Sequence, residues 1–173
     1  MEINDIKKDF VERTLKLLET QNNLKFDTTF LLNCLLGLLV AVYEFEDEDK
    51  KESIFNKNIN QEFLEYIPDN IEYFKAKDDF EKVSNRLKVK RYNIELKGKN
   101  SIQEKTQLWY LEKIRNSIAH ININPINRDK KWASVELFNE HSYGKDFSVE
   151  YSNEDLKKFA VYIAKWYLNI LSR

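Results

Sequence analysis

Residues 30–43 read FLLNCLLGLLVAVY, the apolar run around which the rest of the chain must pack. Its fourteen residues are too few to cross a bilayer, which takes about 20 apolar residues in a helix. The run is also apolar on nearly every side of a helix, a pattern typical of a helix at the centre of a bundle. With Asp27 as a candidate N-cap, the sequence predicts a buried central helix over residues 28–43.

The segment before this run is amphipathic. Apolar residues recur over residues 5–20 at spacings of three and four, which predicts a helix that buries one face. The side chains expected on that face are Ile6, Phe10, Val11, Leu15 and Leu18. This first helix should therefore pack against the central one.

Two capping boxes mark helices nearer the C-terminus. Ser101 with Glu104 predicts a helix that begins there and ends near His120. Ser152 with Asp155 predicts a last helix that continues to about residue 171. The buried stripe of the last helix is expected to contain Leu156, Phe159, Ile163, Trp166 and Ile170.

The rest of the chain is less regular. Residues 135–137 and 147–151 alternate apolar with polar side chains, which predicts a small antiparallel ribbon. A loose helical period over residues 68–87 predicts another helix, starting at a proline. Acidic side chains crowd residues 44–60, which predicts an exposed loop. We therefore expect a mainly α fold, a bundle of four to five helices with a small β-hairpin before the last helix.

Composition limits the kinds of protein and of site. The 173 residues are enough for one well-cored domain over residues 1–173, and a formal net charge of −1 gives no overall attraction to nucleic acid or a membrane. One cysteine, Cys34, excludes a disulfide framework, and two histidines, His120 and His141, are too few for a histidine cage around a metal. We expect no metal and no other cofactor. Because residues 1–10 hold no apolar signal core, we expect a cytoplasmic protein with no membrane partner.

One stretch is strongly basic. Residues 82–99 hold seven lysines and arginines against a single acid, Glu95. Lys88, Lys90 and Arg91 at its centre are candidate contacts for RNA phosphates. Such runs are more often ordinary solvated surface, so both interpretations stay open.

The predicted helix that ends at His120 carries an arginine among its aliphatic positions. Arg115 falls inside the apolar arc, where an arginine needs a partner or a polar cleft. Glu112, Asn116 and His120 lie at about 60°, 100° and 140° from Arg115 around a helical wheel. A carboxylate, an amide and an imidazole thus share one edge with the guanidinium. A purely structural interpretation pairs Arg115 with Glu112 and treats His120 as a residue favoured by the helix dipole.

Three further polar residues are candidates for a role near this cluster. Glu112 and Asn33 are candidate supports for the cluster, although either could have a surface or structural role instead. His141 is expected to be a loop residue near the turn of the ribbon. The cluster that could carry chemistry is therefore centred on Arg115 and His120.

The string RNSIAH at residues 115–120 resembles the active motif of the HEPN superfamily, which has an arginine, a polar residue beside it and a histidine one turn later. The run at residues 30–40 is similar to the second-helix signature of a plasmid- and defence-associated bacterial branch, and residues 138–171 follow the order of that branch. The resemblance leaves residues 44–99 uncovered. It also leads us to expect a proline-containing turn after the second helix, where this chain has residues 41–43 as AVY.

The resemblance implies a metal-independent endoribonuclease that works as a homodimer, with two copies of the motif facing each other across one composite cleft. It implies that His120 of each chain acts as base or acid, that Arg115 stabilises the transition state, and that Asn116 orients the phosphate or His120. Histidine can move protons near neutral pH, and arginine can hold a phosphate with two hydrogen bonds. Attack by the ribose 2′-hydroxyl would leave a 2′,3′-cyclic phosphate and a 5′-hydroxyl.

In cellular terms, the resemblance implies a toxin or an antiphage-defence effector, with RNA as substrate and an antitoxin or a regulatory protein as partner. The alternative is a non-catalytic member of the same fold that binds protein or nucleotide and keeps the motif for dimer packing. A third reading is an effector held inactive until a partner is lost or a signal arrives. Activity measurements must separate these readings, because all of them share one fold.

Overall fold

The computed structural model describes residues 3–20, 27–45, 56–76, 94–128, 131–141 and 144–172. In these ranges the α-helices are α1 (Ile3–Thr20), α2 (Asp27–Phe45), α3 (Gln61–Leu64), α4 (Gln107–Ala119) and α5 (Asn153–Leu171), and Lys99–Glu104 is a 3-10 helix. The β-strands are β1 (Glu72–Ala76), β2 (Ile94–Lys97), β3 (Ile123–Arg128), β4 (Lys131–His141) and β5 (Gly144–Ser152). They form one antiparallel sheet in the order β2-β1-β5-β4-β3.

Helix α2 is the central helix that the apolar run predicts. Leu35, Leu38 and Leu39 are fully buried, and α2 packs against α1, α4 and α5. None of the described helices is both long and apolar enough to cross a membrane. The prediction of a buried bundle helix is therefore confirmed.

Helix α1 also forms where predicted, but its buried face is narrower than expected. Val11 and Leu18 are fully buried, whereas Ile6 and Phe10 are 49% and 41% exposed. The Phe10 ring lies over Gly37 of α2, and a Cβ added to that glycine would come within 3.2 Å of the ring. The prediction that Ile6 and Phe10 are buried is wrong, because those two residues lie at the margin of the contact rather than inside it.

Strands β4 and β5 are the predicted ribbon, and the predicted alternation sets their register. Val135 pairs with Tyr151 and Leu137 with Val149, and all four side chains are fully buried on one face of the sheet. The ribbon is not an isolated hairpin, however. It forms the middle of a five-stranded sheet, so the expectation of a small β-hairpin underestimated the strand content.

The helix predicted over residues 68–87 is wrong where the structure describes that segment. Residues 72–76 form β1, which pairs with both β2 and β5. Tyr73 is buried against the core while Phe74 on the opposite face is half-buried, so two adjacent aromatic residues hide the alternation of a strand. Residues 77–93 lie outside the described residues.

Helix α4 begins later than its predicted capping box. Its N-cap is Thr106, whose Oγ1 accepts a hydrogen bond from the Trp109 amide at 3.2 Å. Ser101, the predicted cap, instead donates to the Gly98 carbonyl and is hydrogen-bonded to the Tyr73 hydroxyl. The capping box therefore predicted the wrong helix start. Ser101 lies in the 3-10 helix before α4, where its side chain contacts Tyr73 instead of capping an α-helix.

Several contacts hold α4 on the sheet. Tyr110 and Ile114 are fully buried, and the Asn139 side-chain amide donates to the Lys113 carbonyl at 3.1 Å. The Lys113 ammonium pairs with Asp146 of β5 at 2.7 Å. These contacts fix the orientation of α4 and hence of the side chains on its other faces.

The Trp109 ring lies where α4 meets the sheet. Its centre is 5.3 Å from the Tyr73 ring and 5.9 Å from the Phe147 ring, both in edge-to-face geometry. The ammonium groups of Lys105 and Lys113 lie 5.3 Å and 5.9 Å from the centre of the same ring. The indole is therefore enclosed by two aromatic rings and two cations.

Helix α5 confirms the second capping box. Ser152 Oγ accepts from the Asp155 amide at 3.1 Å and donates to the Asp155 carboxylate at 2.6 Å. Of the predicted stripe, the first three side chains are fully buried and the last two are partly exposed: Leu156, Phe159, Ile163, Trp166 and Ile170. The stripe turns outward towards the end of the helix.

Candidate active site

The last two turns of α4 carry the predicted motif. Arg115 and Asn116 are half-buried there, and His120 follows at the exposed C-cap position. Arg115 Nη1 donates a hydrogen bond to Asn116 Oδ1 at 3.1 Å. The Asn116 carbonyl in turn accepts a hydrogen bond from the backbone N–H of His120 at 3.0 Å. The first of these bonds joins two side chains, and the second is the regular backbone hydrogen bond of the helix end.

A residue of α2 also contacts the guanidinium. The central carbon of the Arg115 guanidinium lies 5.5 Å from the centre of the Tyr43 ring, within the range of a cation–π contact. The Tyr43 hydroxyl donates to the Leu108 carbonyl in the first turn of α4 at 3.1 Å. The ring is thus tied to the same helix as the arginine that it contacts, so Arg115 has a restricted position.

The electrostatics of Tyr43 show how close these groups lie. Burial raises the pKa of the Tyr43 phenol well above its usual value; the Glu112 carboxylate raises it further and the Arg115 guanidinium lowers it. The phenol therefore stays neutral and presents an uncharged π face to the arginine. Glu112 itself is exposed.

The chain leaves α4 through a tight C-terminal turn just after the histidine. The Ile121 amide donates to the Ile118 carbonyl at 3.1 Å, and the Asn122 amide donates to the Ser117 carbonyl at 2.8 Å. These two hydrogen bonds define a Schellman motif, which needs a left-handed residue after the C-cap. That residue is Ile121, with φ of 57°.

The structure gathers some of the predicted residues and separates others. Arg115 and Asn116 are hydrogen-bonded, and His120 lies one turn beyond them. Asn33 is exposed on α2 ten residues before Tyr43, which is about 15 Å along the helix axis at 1.5 Å per residue. Asn33 is therefore not brought next to Arg115.

The remaining predicted residues lie elsewhere. Lys88, Lys90 and Arg91, the candidate RNA contacts, fall outside the described residues, as does most of the expected acidic loop at residues 44–60. His141, expected in a loop, is instead the last residue of β4. The site that can be described thus consists of the end of α4 and one residue of α2.

Tyr43 is the member of the site that sequence reasoning missed. It ends the apolar run of α2, where an aromatic residue reads as one more core side chain. Its contact with Arg115 joins positions 72 residues apart, and no local pattern reports such a distance. The one available signal was Arg115 itself, since an arginine within an apolar arc requires a partner.

This arrangement suits the binding and cleavage of a phosphodiester. A guanidinium that contacts an amide oxygen and an aromatic ring offers a permanent positive charge at a defined point. An imidazole exposed one turn away can exchange protons with a bound substrate. Phosphodiester cleavage without a metal needs groups that move protons and a positive charge near the phosphate, and these two side chains supply one of each.

Comparison with known proteins shows the family to which the chain belongs. The chain matches the family described as HEPN pEK499 p136 over residues 1–173. No curated protein matches the chain, and no solved structure does. Because the match spans the chain from its first residue to its last, the protein belongs to the HEPN superfamily, in the HEPN pEK499 p136 family.

Proposed function

We propose that the protein is a metal-independent endoribonuclease whose active site is built on the end of helix α4. The observation that carries the proposal is the guanidinium of Arg115, fixed by Asn116 and by the Tyr43 ring, with the exposed His120 one turn away. Membership of a HEPN family supports a ribonuclease-like or toxin-type role at the level of the family.

In the proposed reaction, the ribose 2′-hydroxyl attacks the adjacent phosphorus. A base removes the proton of that hydroxyl, and an acid gives a proton to the 5′-oxygen as it leaves. Arg115 stabilises the negative charge of the phosphorane, and Asn116 orients Arg115 through their hydrogen bond. The products are a 2′,3′-cyclic phosphate and a 5′-hydroxyl.

The reaction needs two proton-transfer groups, and one protomer supplies one histidine at this site. We therefore propose that a homodimer brings His120 of both protomers to one phosphodiester, one as base and the other as acid. We place this activity in the cytoplasm, as a toxin or antiphage-defence effector restrained by an antitoxin or regulatory partner.

Lys88, Lys90 and Arg91 are proposed RNA-phosphate contacts outside the site itself. For single-stranded RNA, each lost phosphate contact lowers the slope of log affinity against log salt concentration by about 0.7. Replacing all three residues by alanine in a His120→Ala background should therefore lower the slope by about 2. A slope equal to that of the His120→Ala parent would show that these three residues do not contact RNA phosphates.

The test of the proposed function is cleavage of total cellular RNA and of tRNA in excess EDTA. Wild type should cut and leave cyclic-phosphate ends, while Arg115→Ala and His120→Ala should each be at least about 100-fold slower. An oligonucleotide with one 2′-deoxyribose at the mapped cleavage position should resist cutting there. His141→Ala, which changes the other histidine of the chain, is the matched control and should cut like wild type.

Two results would contradict the proposal. Undiminished cutting by His120→Ala would remove the histidine from the reaction. RNA binding without cutting by wild type would instead favour a non-catalytic binding module. Expression in cells tests the case of an effector that is inactive when purified. In that case wild type should arrest growth and His120→Ala should not.

A further inference from the structure

Asn139 occupies a position of β4 where the strand pattern calls for an apolar side chain. Val135, Leu137 and Asn139 alternate along β4 on the face towards the helices, and the first two are fully buried. Asn139 is buried as well, with only 5% of its surface exposed. A buried amide destabilises the fold unless it is hydrogen-bonded, so this residue needs a specific partner.

The partner of Asn139 is the backbone of α4. The Asn139 side-chain amide donates to the Lys113 carbonyl at 3.1 Å. The Ser117 hydroxyl, fully buried within the same helix, also donates to that carbonyl, at 2.8 Å. The Asn139 bond crosses from strand to helix and ends on the main chain. It therefore fixes the position of the helix itself on the sheet, and not only that of one side chain.

An irregularity in the next strand aims a second contact at the same residue of α4. The register of β4 on β5 shifts between Asn139 and Glu140, which leaves Asp146 as the extra residue of a β-bulge. The Asp146 carboxylate meets the Lys113 ammonium at 2.7 Å, and both side chains are largely buried. Lys113 is thus bound at its carbonyl by β4 and at its ammonium by β5.

Strand β4 also contacts α4 on the other side of the motif. The Phe138 N–H donates to the Asn122 carbonyl at 3.1 Å. Residues 113–122, which contain all of RNSIAH at 115–120, therefore lie between two hydrogen bonds from consecutive residues of β4, Phe138 and Asn139. One short stretch of β4 sets where the whole motif lies.

On the basis of the ribonuclease activity proposed above, we propose that Asn139 is a positioning residue for the reaction. Its bond to the Lys113 carbonyl places the last two turns of α4, and with them Arg115 and His120, relative to the bound phosphodiester. A displacement of about 1 Å in reacting groups can slow a reaction as much as 100-fold. Asn139 is buried and acts through the helix backbone, so it is not itself a catalytic group.

Asn139→Leu tests the proposal. Leucine has the branched outline of asparagine but no hydrogen-bonding group, and Ser117 keeps the Lys113 carbonyl bonded. The melting temperature should therefore stay within about 3 °C of that of wild type. In contrast, kcat for RNA cleavage should fall about tenfold at an unchanged KM. Asn139→Val, with a smaller side chain, repeats the test in case leucine overpacks the site.

A second measurement on Asn139→Leu needs no activity. The amides of Ile121 and Asn122 donate to carbonyls of the last turn of α4, so their hydrogen exchange reports how firmly that turn is held. Measured by NMR, the protection of these two amides should fall about tenfold. Amides in the middle of α5 should keep the protection that they have in wild type.

Ser134→Ala is the matched control. Ser134 is another buried polar residue of β4, 6% exposed, and its hydroxyl donates to the Glu150 carboxylate at 2.7 Å. It lies five residues before Asn139, about 17 Å along the strand. Its replacement should lower the melting temperature by a few degrees. It should leave kcat, KM and the exchange at the end of α4 unchanged.

Each outcome decides the inference. A fall in kcat alone, together with a local loss of protection at the end of α4, would uphold it. Unchanged protection there would overturn it, and so would a loss spread evenly over the chain with unchanged kcat, which would assign Asn139 to stability alone. A raised KM at unchanged kcat would overturn it as well. If wild type cuts no RNA, the proposed function fails and the exchange measurement alone decides the role of Asn139, so the two failures are distinguishable.

Discussion

Helix α4 has two faces with opposite characters. On the face towards the sheet and α5, Tyr110, Leu111 and Ile114 are fully buried, and the Tyr110 ring meets Phe147 and Phe159 edge-to-face. The remaining edge carries Arg115 and Asn116, both half-buried, and the exposed His120. One helix thus separates side chains that stabilise the fold from side chains available to a ligand. Substitutions on the two faces should separate stability from activity in the same way.

The largest expected effect is on the exposed edge. His120→Gln keeps a polar side chain but cannot exchange protons, so cleavage should fall about 1,000-fold. The melting temperature should change by less than about 2 °C, because the imidazole is exposed and surface substitutions cost little. RNA cleavage assays and differential scanning calorimetry measure the two quantities. A melting temperature that fell several degrees would show that His120 belongs to the stabilising face.

On the buried face, Ile114→Ala should have the converse effect. Deleting most of a fully buried isoleucine side chain lowers the free energy of unfolding by about 3 kcal/mol. Urea denaturation measures this loss, and Ile114→Val, which should lose about 1 kcal/mol, is the matched control. Cleavage per folded molecule should stay near that of wild type. If it fell as far as in His120→Gln, the two faces of α4 would not be independent.

Tyr43 joins the two faces, because its ring contacts Arg115 while its hydroxyl is bonded to the helix backbone. Tyr43→Leu removes the π face, and kcat/KM for RNA cleavage should fall about tenfold. Tyr43→Phe keeps the ring, so it should retain the activity while losing about 1 kcal/mol of stability with its hydrogen bond. Equal activity losses in the two variants would place the effect in the hydroxyl and not in the ring.

The smallest expected effect is the contribution of a core tyrosine, Tyr162, to the pH dependence of stability. It becomes measurable only at alkaline pH. Burial, followed by the charges of Glu62 and Tyr66, raises the pKa of Tyr162 from its ordinary 10.0 to about 12. Above pH 10 the unfolded chain ionises this tyrosine and the folded protein does not, so stability present below pH 10 is lost as the pH rises towards 12. The loss approaches about 1.4 kcal/mol per pH unit for one such group.

Tyr162→Phe should therefore lose less stability than wild type over that range, with the two proteins alike below pH 9 once the difference at neutral pH is subtracted. Thermal unfolding at a series of pH values measures this. Parallel curves for the two proteins would show that Tyr162 ionises equally in the folded and unfolded states. The surroundings of the Tyr162 hydroxyl would then be more hydrated than the low exposure of Tyr162 indicates.

The elements that the sequence predicted well are those with a strong local pattern. Each of these patterns predicts its element from about a dozen neighbouring residues. They are the apolar run of α2, the alternation of β4 and β5, and the capping box of α5. Strand β1 was missed because its partners β2 and β5 lie elsewhere in the chain and because Tyr73 and Phe74 are both aromatic. Strand β3 contains Pro125, which is acceptable because β3 is an edge strand.

The site shows the same division between local and distant information. Arg115, Asn116 and His120 are within six residues of each other, so a motif could name them. Tyr43 could not be named, because only the packing of α2 on α4 brings its ring to the guanidinium. Asn33 was named from its polarity within a buried helix, and the structure explains that polarity by exposure instead.

The environment of Trp109 also makes its fluorescence a probe of the contact between α4 and the sheet. Its indole lies among the rings of Tyr73 and Phe147 and the ammonium groups of Lys105 and Lys113, at the contact of α4 with the sheet. The chain has three tryptophans, so replacing Trp132 and Trp166 by phenylalanine leaves Trp109 as the sole indole fluorophore. Its emission would shift if α4 moved relative to the sheet and stay constant if α4 remained in place. A fluorimeter can therefore report whether RNA or a second protomer finds the end of α4 already in position.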